Sequence, residues 1–77
     1  MPHGLPAASV VEISVRAHCF NPRSGKRHAD EWVPKGRHLT LLGMAADQDG
    51  WNGEVMARHP AYADGRCLVL PRGALRL

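Results

Sequence analysis

The chain ends on DGRCLVLPRGALRL, residues 64–77. An apolar run, Cys67 to Leu70, meets Pro71, and after one polar break the chain closes on Leu75 and Leu77. Proline cannot donate to a β-ladder, so Pro71 ends the strand it belongs to. RGALRL is too short for a stable helix. It fits one 3₁₀ turn followed by a short closing strand.

Working outward, three more strands are legible. SVVEISVRA alternates, with Val11, Ile13 and Val15 on one side and Glu12, Ser14 and Arg16 on the other, the period of a half-buried strand. RHLTLLGM places Leu39 and Leu41 on one face and Thr40 on the other. WNGEVMARH places Trp51, Gly53 and Val55 on one face and Glu54 and Met56 on the other. Between them lie turn signals. HCFNPRSGKRHAD is rich in Asn, Pro, Ser and Gly and reads as a long polar loop. Lys35-Gly36 marks a tight turn, Asp49-Gly50 a second, and HPAYADG a further loop. Helical periodicity is sustained nowhere. Four to five short strands without a long helix predict an all-β sheet closed into a small barrel or packed as a sandwich. Barrel closure would remove exposed strand edges, which a small β protein tolerates badly.

Seventy-seven residues make one domain. Residues 1–8, with two prolines and a glycine, read as a loose arm, and residues 9–77 as the domain. A chain this short buries only about 60–65% of its unfolded surface, which leaves little room for a deep internal active site. The apolar fraction of 44% excludes wholesale disorder. The net charge of +3 permits an anionic partner, and it is also what solubility alone requires. MPHGLPAAS has neither the basic start nor the apolar stretch of a secretory leader. No run approaches the roughly 18 apolar residues of a membrane span. The expected setting is cytoplasmic, with Cys19 and Cys67 as two buried free thiols.

Three stretches resemble SH3 domains. Gly65 to Leu77 is similar, without a gap, to the SH3 ending G-R-x-G-L-F-P-x-N-Y-V-x-L. DGWNGEV resembles D-G-W-W-x-G-E-V shortened by one residue. WVPKGRHLTLL resembles the entry to the second SH3 strand. The likeness covers residues 31–77 well and residues 15–30 poorly. It implies a small SH3-like barrel with a C-terminal 3₁₀ turn, in which Leu70 and Leu75 point inward and the last leucines return to the first strand. It also implies that Leu68 is less critical than Leu70, since glycine is tolerated at its position. The peptide-gripping aromatics are mostly missing. Only Phe20 falls near the first tyrosine positions, Ala74 replaces the last tyrosine, and one tryptophan of the pair remains as Trp51. Pro71 is kept. A weaker likeness links Trp51–Val55 and Cys67–Leu75 to the type II, plasmid-borne dihydrofolate reductases, which assemble around a pore. Their substrate-contacting Gln-Ile-Tyr is Leu68-Val69-Leu70 here and their pore lysine falls near Leu41, so that activity is not expected.

No catalytic residue, metal or cofactor is expected. His18 and Cys19 are adjacent and would face opposite ways in a strand. No HxxxH or CxxC spacing occurs, so a metal site would need folding to gather His3, His18 and His28. The expected function is a non-enzymatic binding module. It would take a protein partner, or a second copy of itself, through the loop of residues 18–31, the loop before Trp51 and the loop 58–65, which together flank one face, with Phe20, Trp32, Trp51 and Pro71 contacting the ligand. The alternative is nucleic acid, held by the basic residues Arg23, Lys26, Arg27, Lys35 and Arg37, with Phe20 or Trp32 stacking on bases.

Overall fold

The computed structural model describes residues 6–45 and 54–77. Within them the chain is all-β. Six strands form one antiparallel sheet: β1 Ala8–Val10, β2 Val15–Asn21, β3 Lys26–Val33, β4 His38–Met44, β5 Glu54–Arg58 and β6 Cys67–Pro71. A 3₁₀ turn, Arg72–Ala74, follows β6. The hydrogen-bonded order is β1-β4-β5-β6-β2-β3. No helix among the described residues is long and apolar enough to cross a membrane.

The described part of the C-terminal half forms as its pattern requires, except that the expected closing strand is a single bridge at Leu75 and Leu77 is exposed. Leu39 and Leu41 are buried and Thr40 is exposed between them. In the β5–β6 ladder Val55 pairs with Leu70 and Ala57 with Leu68. All four enter one core with Val11, Ala17, Cys19, Val33, Leu39, Leu41 and Leu75. After the 3₁₀ turn Leu75 bridges to Val11. The flanking Glu12 N–H donates to Ala74 O and Arg76 N–H to Val10 O. Burying one such aliphatic side chain contributes about 1.5–3 kcal/mol. Leu68 shares this core with Leu70, contrary to the lesser role expected for it. No register shift interrupts β6, so residues two apart face the same way.

The N-terminal half departs from the sequence reading in three ways, and the strand count rises to six. The expected first strand is two: β1, then a bend at residues 12–14, then β2. Val11 is fully buried but Ile13 is 63% exposed, because the bend breaks the alternation. The polar stretch 18–30 is no long loop. It is most of a hairpin whose turn is only residues 22–25. Asn21 Oδ1 accepts the Arg23 N–H at 2.9 Å. Gly25 takes a φ of 75°, open to glycine at no steric cost, and its N–H donates to Asn21 O at 2.7 Å. The Asn, Pro, Ser and Gly therefore mark a tight turn, and the polar residues beside it are strand.

β3 lies at one end of the strand order. Between Ala17 and Cys19 the register shifts, because Ala17 faces Glu31 while Cys19 faces His28. β3 thus carries one extra residue, a β-bulge. A bulge and charged side chains both blunt an exposed sheet edge.

Candidate functional site

The face of β6 opposite the main core carries Cys67 and Val69, which pack with Phe20, Ala45 and Met56. One cross-strand row runs Phe20, Cys67, Arg58. Above it opens a groove of about 330 Å³. Its walls are the hairpin turn (Pro22, Arg23), Leu42 on β4, Met56 and Arg58 on β5, and Tyr62, Ala63, Gly65 and Arg66 of the β5–β6 loop.

Three guanidiniums, of Arg23, Arg58 and Arg66, surround this groove. Arg66 is fixed. Its Nε donates to Asp64 Oδ1 at 3.2 Å and Oδ2 at 3.1 Å, and its Nη2 to Oδ2 at 2.8 Å. The Arg66 side chain, and then its backbone N–H, hold the Asp64 carboxyl down at about 2. The same guanidinium lies 3.7 Å over the Tyr62 ring, a favourable cation–π contact. Arg23 lies against Gly65, where a Cβ would sit 3.2 Å from its Cδ and Nε. Gly65 has a φ of 95°, so the loop needs glycine there for its backbone as well as for the arginine. Among the described residues, neither Arg23 nor Arg58 has an ion-pair partner.

Beneath the loop sits a second constellation, Cys19, Glu31 and His59, whose donor atoms lie within 4.8 Å of one another. The spacing would admit a metal ion, but the proton inventory does not fit one. His59 Nδ1 accepts the Ala61 N–H at 3.0 Å. The ring proton therefore sits on Nε2, which donates between the two Glu31 oxygens at 2.8 and 2.9 Å. A metal on Nε2 would need the proton on Nδ1, pointing at another N–H, whereas metal-bound histidines donate their second nitrogen outward. Nor is Cys19 an activated nucleophile. Burial, and then the Glu31 charge, push its thiol up, so it stays protonated. Burial also raises Cys67, despite the nearby Arg58. Both cysteines are free and buried. The cluster is a clamp tying β3 to the β5–β6 loop. It reaches the groove through His59, whose ring meets the Tyr62 ring edge-on at 4.7 Å and 69°.

The residues singled out from sequence do not gather in one place. Phe20 is 5% exposed, in the floor beneath the groove. Trp32 is 65% exposed and pairs with Arg16, four residues back along β2 from Phe20, about 13 Å away at roughly 3.3 Å per residue. Pro71 pairs with Glu54 at the end of β6. Trp51 and His3 lie outside the described residues. Arg23, Lys26 and Arg27 stand together at the hairpin tip beside the groove. Lys35 and Arg37 belong to the β3–β4 turn at the other end of β3, where the Lys35 N–H donates to Ser14 Oγ.

Sequence reasoning placed the loop 58–65 in the binding face but singled out none of Arg58, His59 and Tyr62 within it, and it gave Arg66 and Glu31 no site role. Their one local signal is Asp64-Gly65-Arg66, a turn with opposite charges two apart. No family model, curated protein or solved structure matches the chain.

Proposed function

We propose that the chain is a non-enzymatic binding module built as a small SH3-like barrel, and that it binds nucleic acid through the arginine groove and the hairpin tip. The barrel reading is supported by the return of Leu75 to Val11 while β1 pairs with β4. The binding reading rests on one observation: the cations around the groove outnumber its acids. Asp64 is spent on Arg66, which leaves Arg23 and Arg58 uncompensated among the described residues. Arg27, exposed and paired with Phe20, extends the positive field along the groove's face of the hairpin. Cations on such a surface neutralise phosphates and release the counterions condensed on the nucleic acid, which drives binding. The non-enzymatic reading rests on thiols held protonated and on a groove lined by cations.

The test is a fluorescence-anisotropy titration of a labelled oligonucleotide at two salt concentrations. The double variant Arg23→Ala, Arg58→Ala should bind more weakly. Its log-affinity should fall less steeply with log salt, by about 0.7 per lost contact on a single strand. No binding by the wild type at micromolar protein and low salt would overturn the reading. A protein partner is the second reading, carried by Trp32, a large exposed aromatic of the kind that anchors interfaces.

A further inference from the structure

We propose that the groove takes a single unpaired nucleotide, its base stacked on Tyr62 and its phosphate held between Arg23 and Arg58, so that the protein prefers single strands to duplex. This rests on the nucleic-acid reading and specifies the form of its ligand.

The first reason is size. At about 330 Å³ the groove lies at the lower end of small-molecule sites, roughly 300–1,000 Å³. It suits one base and its phosphate. A base inside a duplex cannot enter such a recess without leaving its stack.

The second reason is the ring. Tyr62 is the chain's one tyrosine, is 47% exposed, and lines the groove. Arg66 stacks on it and His59 abuts it edge-on. Arg66 is itself held by Asp64, and His59 by Glu31 and the Ala61 N–H. The ring is therefore ordered before any ligand arrives, which lowers the entropic cost of stacking a base. Leu42 and Met56 add apolar surface beside it. Stacking on an aromatic ring tolerates any base, since every base has a π-face.

The third reason is a division of labour among the arginines. Arg66 is neutralised by Asp64 and serves the ring. Arg23 and Arg58 remain for phosphate. Arg23 gains its place because residue 65 has no Cβ, so Gly65 is a positioning residue for it. Arg27 follows on the same face of the hairpin, where the next phosphate of the strand would pass.

The experiment compares a labelled single-stranded oligonucleotide, the same sequence as a duplex, and heparin. Wild type should bind the single strand more tightly than the duplex. Tyr62→Ala should weaken single-strand binding about 5- to 150-fold, the loss of one stacked base, and leave duplex and heparin binding unchanged. Tyr62→Phe should keep single-strand binding, because the ring stacks and the hydroxyl does not. Ultraviolet crosslinking of the wild type to the single strand should map to the peptide containing Tyr62, a readout that needs no variant to fold. Equal affinity for all three polyanions, with Tyr62→Ala silent and crosslinks elsewhere, would overturn the nucleotide site while leaving electrostatic nucleic-acid binding intact. Absence of binding to any of the three would overturn both.

Discussion

Two polar constellations lie on either side of the β5–β6 loop, and they are built on opposite plans. In the clamp every group answers another. Glu31 accepts from His59 Nε2, and His59 Nδ1 accepts from Ala61. No buried side-chain polar atom among the described residues lacks a partner. In the groove the charges do not balance, because Arg23 and Arg58 face it without an acid among the described residues. A buried network left half-satisfied would cost the fold, so the clamp is closed. Exposed cations cost little in water, so the groove can stay open at no penalty to stability. Closure marks the part that holds the structure, and imbalance marks the part we propose as the binding site. Tyr62 joins the two, touching His59 on one side and Arg66 on the other.

The contrast can be broken or sharpened by substitution. The largest effects belong to the sealed interior. Leu70→Ala and Leu68→Ala should each cost about 2–5 kcal/mol in urea melts. Near-neutral Leu68→Ala would mean that the register of β6 differs from the one described. Glu31→Ala should come next, at about 1–3 kcal/mol, because it leaves the buried His59 Nε2–H without its acceptor. Arg58→Ala, by comparison, should stay within about 0.5 kcal/mol of wild type while weakening oligonucleotide binding. A clamp variant that weakened binding without loss of stability would erase the distinction.

The smallest effect is the acid titration of the Asp64–Arg66 fork. The folded Asp64 carboxyl lies below its ordinary range, so the fork's contribution is fully present above that range. It is lost as the pH falls through about 2. The Asp64 carboxyl resonance followed by NMR should have its midpoint there. A midpoint in the usual carboxylate range would show that the fork does not hold in solution.

The sequence alone determined the C-terminal half. Over residues 39–45 and 54–75 the apolar residues either alternate or sit beside a proline and a 3₁₀ turn, and the strands follow, while the expected Asp49-Gly50 turn and the Trp51 start of the next strand lie outside the described residues. Alternation is legible where a strand keeps one face dry along its length. The hairpin gives no such signal. β3 buries only Val33 fully and otherwise shows charged or exposed residues, so KRHADEWV looks like loop. Only its pairing with β2 makes it strand. The site was hidden for a related reason. Glu31 and His59 are 28 residues apart, and Arg23, Arg58 and Arg66 share no motif. Antiparallel register and the fold of the β5–β6 loop bring them together, because spacing along the chain encodes which face a side chain takes but not which distant strand will lie beside it.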